Sequence, residues 1–283
     1  GSRAARFWRP QRPGTPHPPT MSQRVAAARV RERLLELVRR PALPEAAQRF
    51  ERLDADAPPP GELSDTAKDL VWERWLVRSE PGDLGRVPVL LAHARRGPGA
   101  ARLPVVLVLH GTSRSKDDVA PHLARYARQG YLSASFDSRY HGERGNLQEY
   151  YDSLVRAWRC NFAGPEGGAP GPSDEHPFMY DSVWDLGRVL DLLESRPDVD
   201  PARIGATGIS LGGMHVWLGA VADPRLAVAA PAIGVQGYRY ALETESWGSR
   251  VATIQPVFEA AAADLHGPES PITTEIVEKV WRR

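Results

Sequence analysis

The segment Asp200-Pro-Ala-Arg-Ile-Gly-Ala-Thr-Gly-Ile-Ser-Leu-Gly-Gly213 constrains this chain more than any other, because it sets Ser210 inside a Gly208-x-Ser210-x-Gly212 pattern. A short run from Arg203 to Thr207 leads in, and an apolar, helix-like run from Gly213 to Val221 leads out. A strand that reverses at one residue into a helix is a nucleophile elbow, which holds a serine at the tip of a strained turn. Glycines two residues to either side let strand and helix approach without side-chain clashes. Ser210 is therefore read as a nucleophile position.

The surrounding pattern predicts the architecture. Leu103-Pro-Val-Val-Leu-Val-Leu109 is a continuous apolar run, the mark of a strand buried on both faces. Val119, Leu123 and Tyr126 predict a helix over 117–129, and Tyr131 to Phe136 reads as a second central strand. Val183, Leu186, Leu190 and Leu193 predict an amphipathic helix over 180–195, and Leu226 to Pro231 reads as the strand after the elbow helix. Such alternation implies an α/β fold with a mostly parallel sheet flanked by helices. Two strand-like runs, 69–78 and 86–94, read as an opening hairpin, and the Gly- and Pro-rich stretch 164–172 as a loop excursion. Upstream, Val30, Leu34, Leu37 and Val38 predict a helix, and Ala46, Ala47, Phe50 and Leu53 a further short one before the break at Pro58-Pro-Pro-Gly61. The expected organisation is a leader over 1–21, a helical arm over 22–60, an α/β core over 61–235 and a helical segment over 236–283. The last of these offers Trp247, Val257, Phe258 and Trp281 as apolar faces for a lid.

Length and charge exclude several classes. The 283 residues suffice for one large α/β domain or two small ones, and a net charge of +1 gives no reason to expect nucleic acid or an anionic membrane as partner. No apolar stretch approaches the length of a bilayer span. Cys160 is the only cysteine, which rules out an intrachain disulfide and a cysteine–histidine metal cluster. No metal or organic cofactor is expected, and the expected compartment is the cytoplasm. No acidic residue precedes Glu32, and arginine recurs from Arg3 to Arg31, so an organelle-targeting leader is the alternative.

Acyl transfer needs donors for the tetrahedral oxyanion, a base for the serine proton and a carboxylate to orient that base. Leu109-His-Gly-Thr-Ser113 follows directly on the first buried strand, where its backbone can turn toward the elbow. The Leu211 N–H would supply one oxyanion donor and Thr112 or Gly111 the other.

His110-Gly111 after one strand, Asp137-Ser-Arg-Tyr-His-Gly-Glu-Arg144 after the next, and the Asp200–Gly213 segment occur in that order. Together they resemble the α/β-hydrolase superfamily, and most closely its branch of dienelactone hydrolases, acetyl xylan esterases and the catalytic domains of prolyl oligopeptidase and acylaminoacyl peptidase. The resemblance covers roughly residues 65–235. It implies a serine hydrolase acting on a small-molecule ester or a peptide-like acyl bond, with His110, Asp137, Arg139 and His141 near the cleft. Arg139 is equally well read as a structural partner of Asp137 or of a neighbouring loop.

In that family the nucleophile is followed along the chain by an acid and then a histidine. Only His215 and His266 follow Ser210. His215 falls inside the elbow helix, where a packed role is expected, and His266 sits in a helix-ending turn, where a solvent-exposed role is expected. Asp223-Pro-Arg225 reads as an ordinary turn, and beyond Pro231 only helices are expected, over 241–263 and 271–281. The expectation is a form that keeps nucleophile and oxyanion loop and stops short of the family's last strands. Three functions follow: a hydrolase whose base and acid are absent from this sequence, a non-catalytic scaffold using the same pocket, or an enzyme that rebuilds its triad from His266 with Glu243, Glu245 or Glu259. An unclosed sheet edge would also favour a homo-oligomer.

Overall fold

A computed structural model describes residues 20–40, 43, 49–64, 66–97, 99–163, 176–234 and 237–282. The expected leader and the 164–172 excursion lie almost wholly outside the described residues. Strands β1 (Phe50–Asp54), β2 (Leu70–Arg78), β3 (Arg86–Ala94), β4 (Leu103–Leu109), β5 (Leu132–Phe136), β6 (Val199–Ile209) and β7 (Leu226–Ala232) form one sheet in the order β1-β2-β3-β5-β4-β6-β7. Strands β5, β4, β6 and β7 run parallel, and β1, β2 and β3 extend the sheet by antiparallel pairing.

The central strands are apolar throughout because both their faces are covered. On β4, Val105, Leu107 and Leu109 pack on one face, while Val108 faces the opposite cluster. On β3, Val87, Val89 and Leu91 alternate with Leu90 and Ala92 in the same way, as the two-residue strand period requires. Helix α2 (Ala120–Arg128) covers one face with Leu123, Ala124 and Ala127. Helix α4 (Phe178–Ser195) covers the other with Leu186, Val189, Leu190 and Leu193, and α5 (Leu211–Ala222) adds Val216.

Helix α1 (Met21–Val38) starts at a capping box formed by Thr20 and Gln23, and seats Leu34 and Val38 on α4 and α5. Of the expected short helix, Ala46 and Ala47 lie outside the described residues, and its later part is a strand: Phe50 to Asp54 pairs with β2, so part of the expected arm belongs to the sheet. Phe50 packs on the sheet core while the rest of β1 is exposed. Tertiary pairing along an open strand edge has overridden a weak local helix signal.

Helix α3 (Leu147–Ala163) was not expected, although Leu147, Tyr150, Tyr151, Leu154, Val155 and Trp158 carry a helical period. The single expected helix over 241–263 is broken into α6 (Tyr238–Glu243), α7 (Gly248–Val251) with a 3-10 turn over Ala252–Ile254, and α8 (Gln255–His266). The break falls at Glu245, which takes a positive φ of 51° that helices do not accommodate. Helix α9 (Thr274–Arg282) begins after Thr273, whose hydroxyl accepts from the Ile276 amide at 3.4 Å, three residues later than Pro271 suggested. Among the described residues no strand follows β7, which ends the sheet with most of its residues exposed, Val228 at 64%.

Candidate active site

Ser210 joins the end of β6 to the start of α5 at φ 54°, ψ −115°, a backbone conformation rarely adopted outside glycine. Its neighbours explain how the turn closes. A Cβ on Gly208 would sit 2.6 Å from the Gly212 carbonyl carbon, and one on Gly212 would sit 2.7 Å from the His110 carbonyl oxygen. The β4–α2 loop therefore lies directly against the elbow. A Cβ built on Gly111 would be 3.8 Å from that of Ser210.

Ser210, Leu211 and Thr112 share a cavity of about 500 Å³, a size suited to a small organic ligand. One wall is Tyr150 and Leu154 of α3 with Phe178 and Met179 of α4. The opposite wall is Tyr238, Ser249, Arg250, Thr253 and Ile254, from α6, α7 and the 3-10 turn. The helical segment thus does border the pocket, but through these residues. Trp247, Val257, Phe258 and Trp281 pack among the C-terminal helices and against α3. Tyr150 and Thr112 are hydrogen-bond partners, and burial pushes the Tyr150 phenol well above its usual range. Burial raises Tyr238 to about 12 against the opposing charge of Arg250.

The expected cleft residues sit beneath this cavity and not in its lining. His110 and Asp137 are fully buried, and Arg139 and His141 are 3% exposed. The His110 Nδ1 faces the Gly111 carbonyl at 2.9 Å, and its Nε2 accepts from the Ser138 amide at 3.1 Å. His141 Nδ1 faces the Arg139 carbonyl at 2.8 Å, and its ring packs 5.3 Å from His110 and 5.4 Å from Tyr150. Fully buried His215 has only a long contact, 3.4 Å, from Nδ1 to Ser138 Oγ. Burial holds His141 down to about 4 and His215 to about 3, and lowers His110 as well. Burial therefore disfavours the charged form of all three imidazoles.

Arg139 does not pair with Asp137. It bridges Asp185 at 3.2 Å, Glu80 at 2.6 Å and Asp181 at 3.5 Å. Burial alone would raise Asp185, but Arg144 and Arg139 hold it down to about 2. The partner of Asp137 is buried Lys116, at 3.0 Å, with the Lys116 and Glu143 amides donating to the same carboxylate at 2.7 and 3.1 Å. This arrangement ties the loop after β4 to the loop after β5.

His266 is exposed at the end of α8 and does not line the cavity, and neither do Glu243, Glu245 or Glu259. Among the described residues the cavity lining contains no histidine and no carboxylate, and the Ser210 side chain makes no capping hydrogen bond to α5. No group of residues suited to hold a metal ion occurs among the described residues, and no described helix is long and apolar enough to cross a membrane. Sequence reasoning missed Tyr150 and Leu154, for which the period of α3 was a usable signal, and Arg250, for which no motif exists.

A mostly parallel sheet with an antiparallel opening and a serine elbow between β6 and α5 is the α/β-hydrolase fold. The chain superposes on the acetyl xylan esterase from Paenibacillus sp. R4 with a TM-score of 0.55 and 20% identity, covering 92% of this chain and 72% of that one. It superposes on acetyl xylan esterase 1 from Thermoanaerobacterium sp. JW/SL YS485 at 0.53 and 15% identity, covering 90% and 71%. In sequence it is similar to a 4-O-methyl-glucuronoyl methylesterase of Schizophyllum commune, 32% identical over 89 residues, which are 29% of this chain and 23% of that protein. The chain spans less than a quarter of the length of the curated relatives it matches, 23% and 21% for two of them. No family model matches it. The resemblance read from the three motifs is borne out in the fold.

Proposed function

We propose that this chain carries the nucleophile half of a serine hydrolase for carboxylic esters, in which Ser210 attacks the ester carbonyl and forms an acyl-enzyme. The carrying observation is the strained conformation of Ser210 at the wall of a 500 Å³ cavity, with Leu211 and Thr112 beside it. A backbone held at positive φ costs on the order of 1–3 kcal/mol, and such strain is characteristic of active sites. The ester class is supported by the names of the relatives, which are acetyl xylan and glucuronoyl esterases. The amides of Leu211 and of Thr112 or Gly111 are the donors this reading assigns to the oxyanion.

A second reading, a binding scaffold that uses the same pocket, is favoured by the lining itself, which offers neither base nor acid among the described residues. With base and acid lacking, turnover would fall several orders of magnitude below that of a full triad. Labelling with a fluorophosphonate probe tests the two. Labelling of the wild type that disappears in Ser210→Ala supports the hydrolase. A folded protein that does not label supports the scaffold.

A further inference from the structure

Arg250 is the one charged side chain in the lining of the Ser210 cavity among the described residues. The guanidinium lies by Gly237, where a built Cβ would be 3.7 Å from Nη2, and no carboxylate forms an ion pair with it among the described residues. Nearby Glu243 is engaged with Arg239 at 2.8 Å. The Thr253 hydroxyl donates to the Arg250 carbonyl at 2.7 Å, which fastens the turn that carries it. The remaining polar groups of the lining are hydroxyls of Thr112, Tyr150, Ser210, Tyr238, Ser249 and Thr253, of which Thr253 donates to the Arg250 carbonyl and Thr112 and Tyr150 partner each other. Among the described residues the lining thus combines hydroxyls, one cation and no anion.

We infer that Arg250 is a specificity-determining residue that receives a carboxylate on the ligand, so that the cavity selects esters bearing a second, anionic group over neutral ones. The inference rests on the ester reading of the Ser210 site, and it names the substrate class: half-esters of dicarboxylic acids and esters of other acidic molecules. A sphere of about 500 Å³ is about 10 Å across, so one short ligand can reach both Ser210 and Arg250. A guanidinium accepts a carboxylate through two parallel N–H donors, which orients the ligand as well as holding it.

The test compares monomethyl glutarate with dimethyl glutarate, which share a skeleton and differ in charge. Dissociation constants are measured by NMR titration for the full wild-type chain and for Arg250→Gln, Arg250→Lys and Ser210→Ala, each shown to be folded by circular dichroism. The monoanion is expected to bind on the order of tenfold tighter in the wild type and in Ser210→Ala. That ratio should fall to near unity in Arg250→Gln and recover in part in Arg250→Lys. Raising the salt concentration should erode it. Equal affinities in the wild type, or a preference that survives Arg250→Gln, would overturn the inference. Fluorophosphonate labelling of the same preparations reports on the nucleophile separately. Charge preference without labelling would remove the hydrolase reading and leave the anion site standing.

Discussion

The Ser210 amide donates to the Ala232 carbonyl oxygen at 3.0 Å, so the tip of the elbow is fastened to the outermost strand of the sheet. Gly213 makes this contact accessible, because a Cβ there would sit 2.6 Å from the same oxygen. Gly213→Ala is expected to destabilise the fold by about 2 kcal/mol or more, since backbone and not a flexible side chain must move. Gly248→Ala, where a Cβ meets nothing within 4 Å, should be close to neutral. Thermal unfolding of the two variants side by side checks the contrast.

Stability should fall on mild acidification. Burial holds His141 at about 4 and His215 at about 3, whereas the unfolded chain takes up these protons near pH 6.5. The folded values lie below the unfolded ones, so their contribution is complete above about pH 6.5 and is lost as pH falls toward 4. Each histidine contributes a slope of about 1.4 kcal/mol per pH unit in that window. Asp185, held at about 2, adds a further loss only below about pH 4. Urea unfolding between about pH 7 and about pH 5 measures the slope, and His215→Gln should reduce it by one proton.

Lys116 and Asp137 are 1% and 0% exposed, so removing the lysine strands the Asp137 charge in the interior, while Lys116 keeps Asp117 and Glu143 as further partners. Lys116→Met is expected to cost about 3–5 kcal/mol, and Lys116→Met combined with Asp137→Asn less than that. A double-mutant cycle by chemical denaturation gives the coupling. Additive losses would mean that the pair does not act as a unit.

Strand β7 presents an apolar edge, with Val228 64% exposed and no strand beyond it among the described residues. Unpaired edges of this kind template association. Sedimentation velocity should show self-association that grows with concentration, and Val228→Lys should suppress it. A monomer at every concentration would remove the expectation of a homo-oligomer.

The parts of the fold legible in the sequence were those whose patterns are local. Strand β4 announces itself because both its faces are buried, and the elbow because two backbones meet at Gly208 and Gly212. Strand β1 was not legible, since only Phe50 of its five residues packs on the core and its pairing comes from a strand some twenty residues away. His141 and Asp137 are expected at the cleft on the family resemblance of the segment Asp137–Arg144. Their burial beneath it depends on Lys116, Tyr150 and Phe178, which lie on other elements. Arg250 lines the cavity from α7, which follows the break in the helical segment at Glu245.

The ion cluster under the pocket has one member whose origin matters. Arg139 and Arg144 face Asp185, Asp181 and Glu80, which leaves the acids one charge in excess until Arg40, just past α1, pairs with Glu80 and Asp181. The N-terminal helix is therefore followed by a counterion for the interior, not by a dispensable tail. A version of this protein shortened to begin after Arg40 would carry an unneutralised negative charge in its interior, even though every residue of the pocket lining remained.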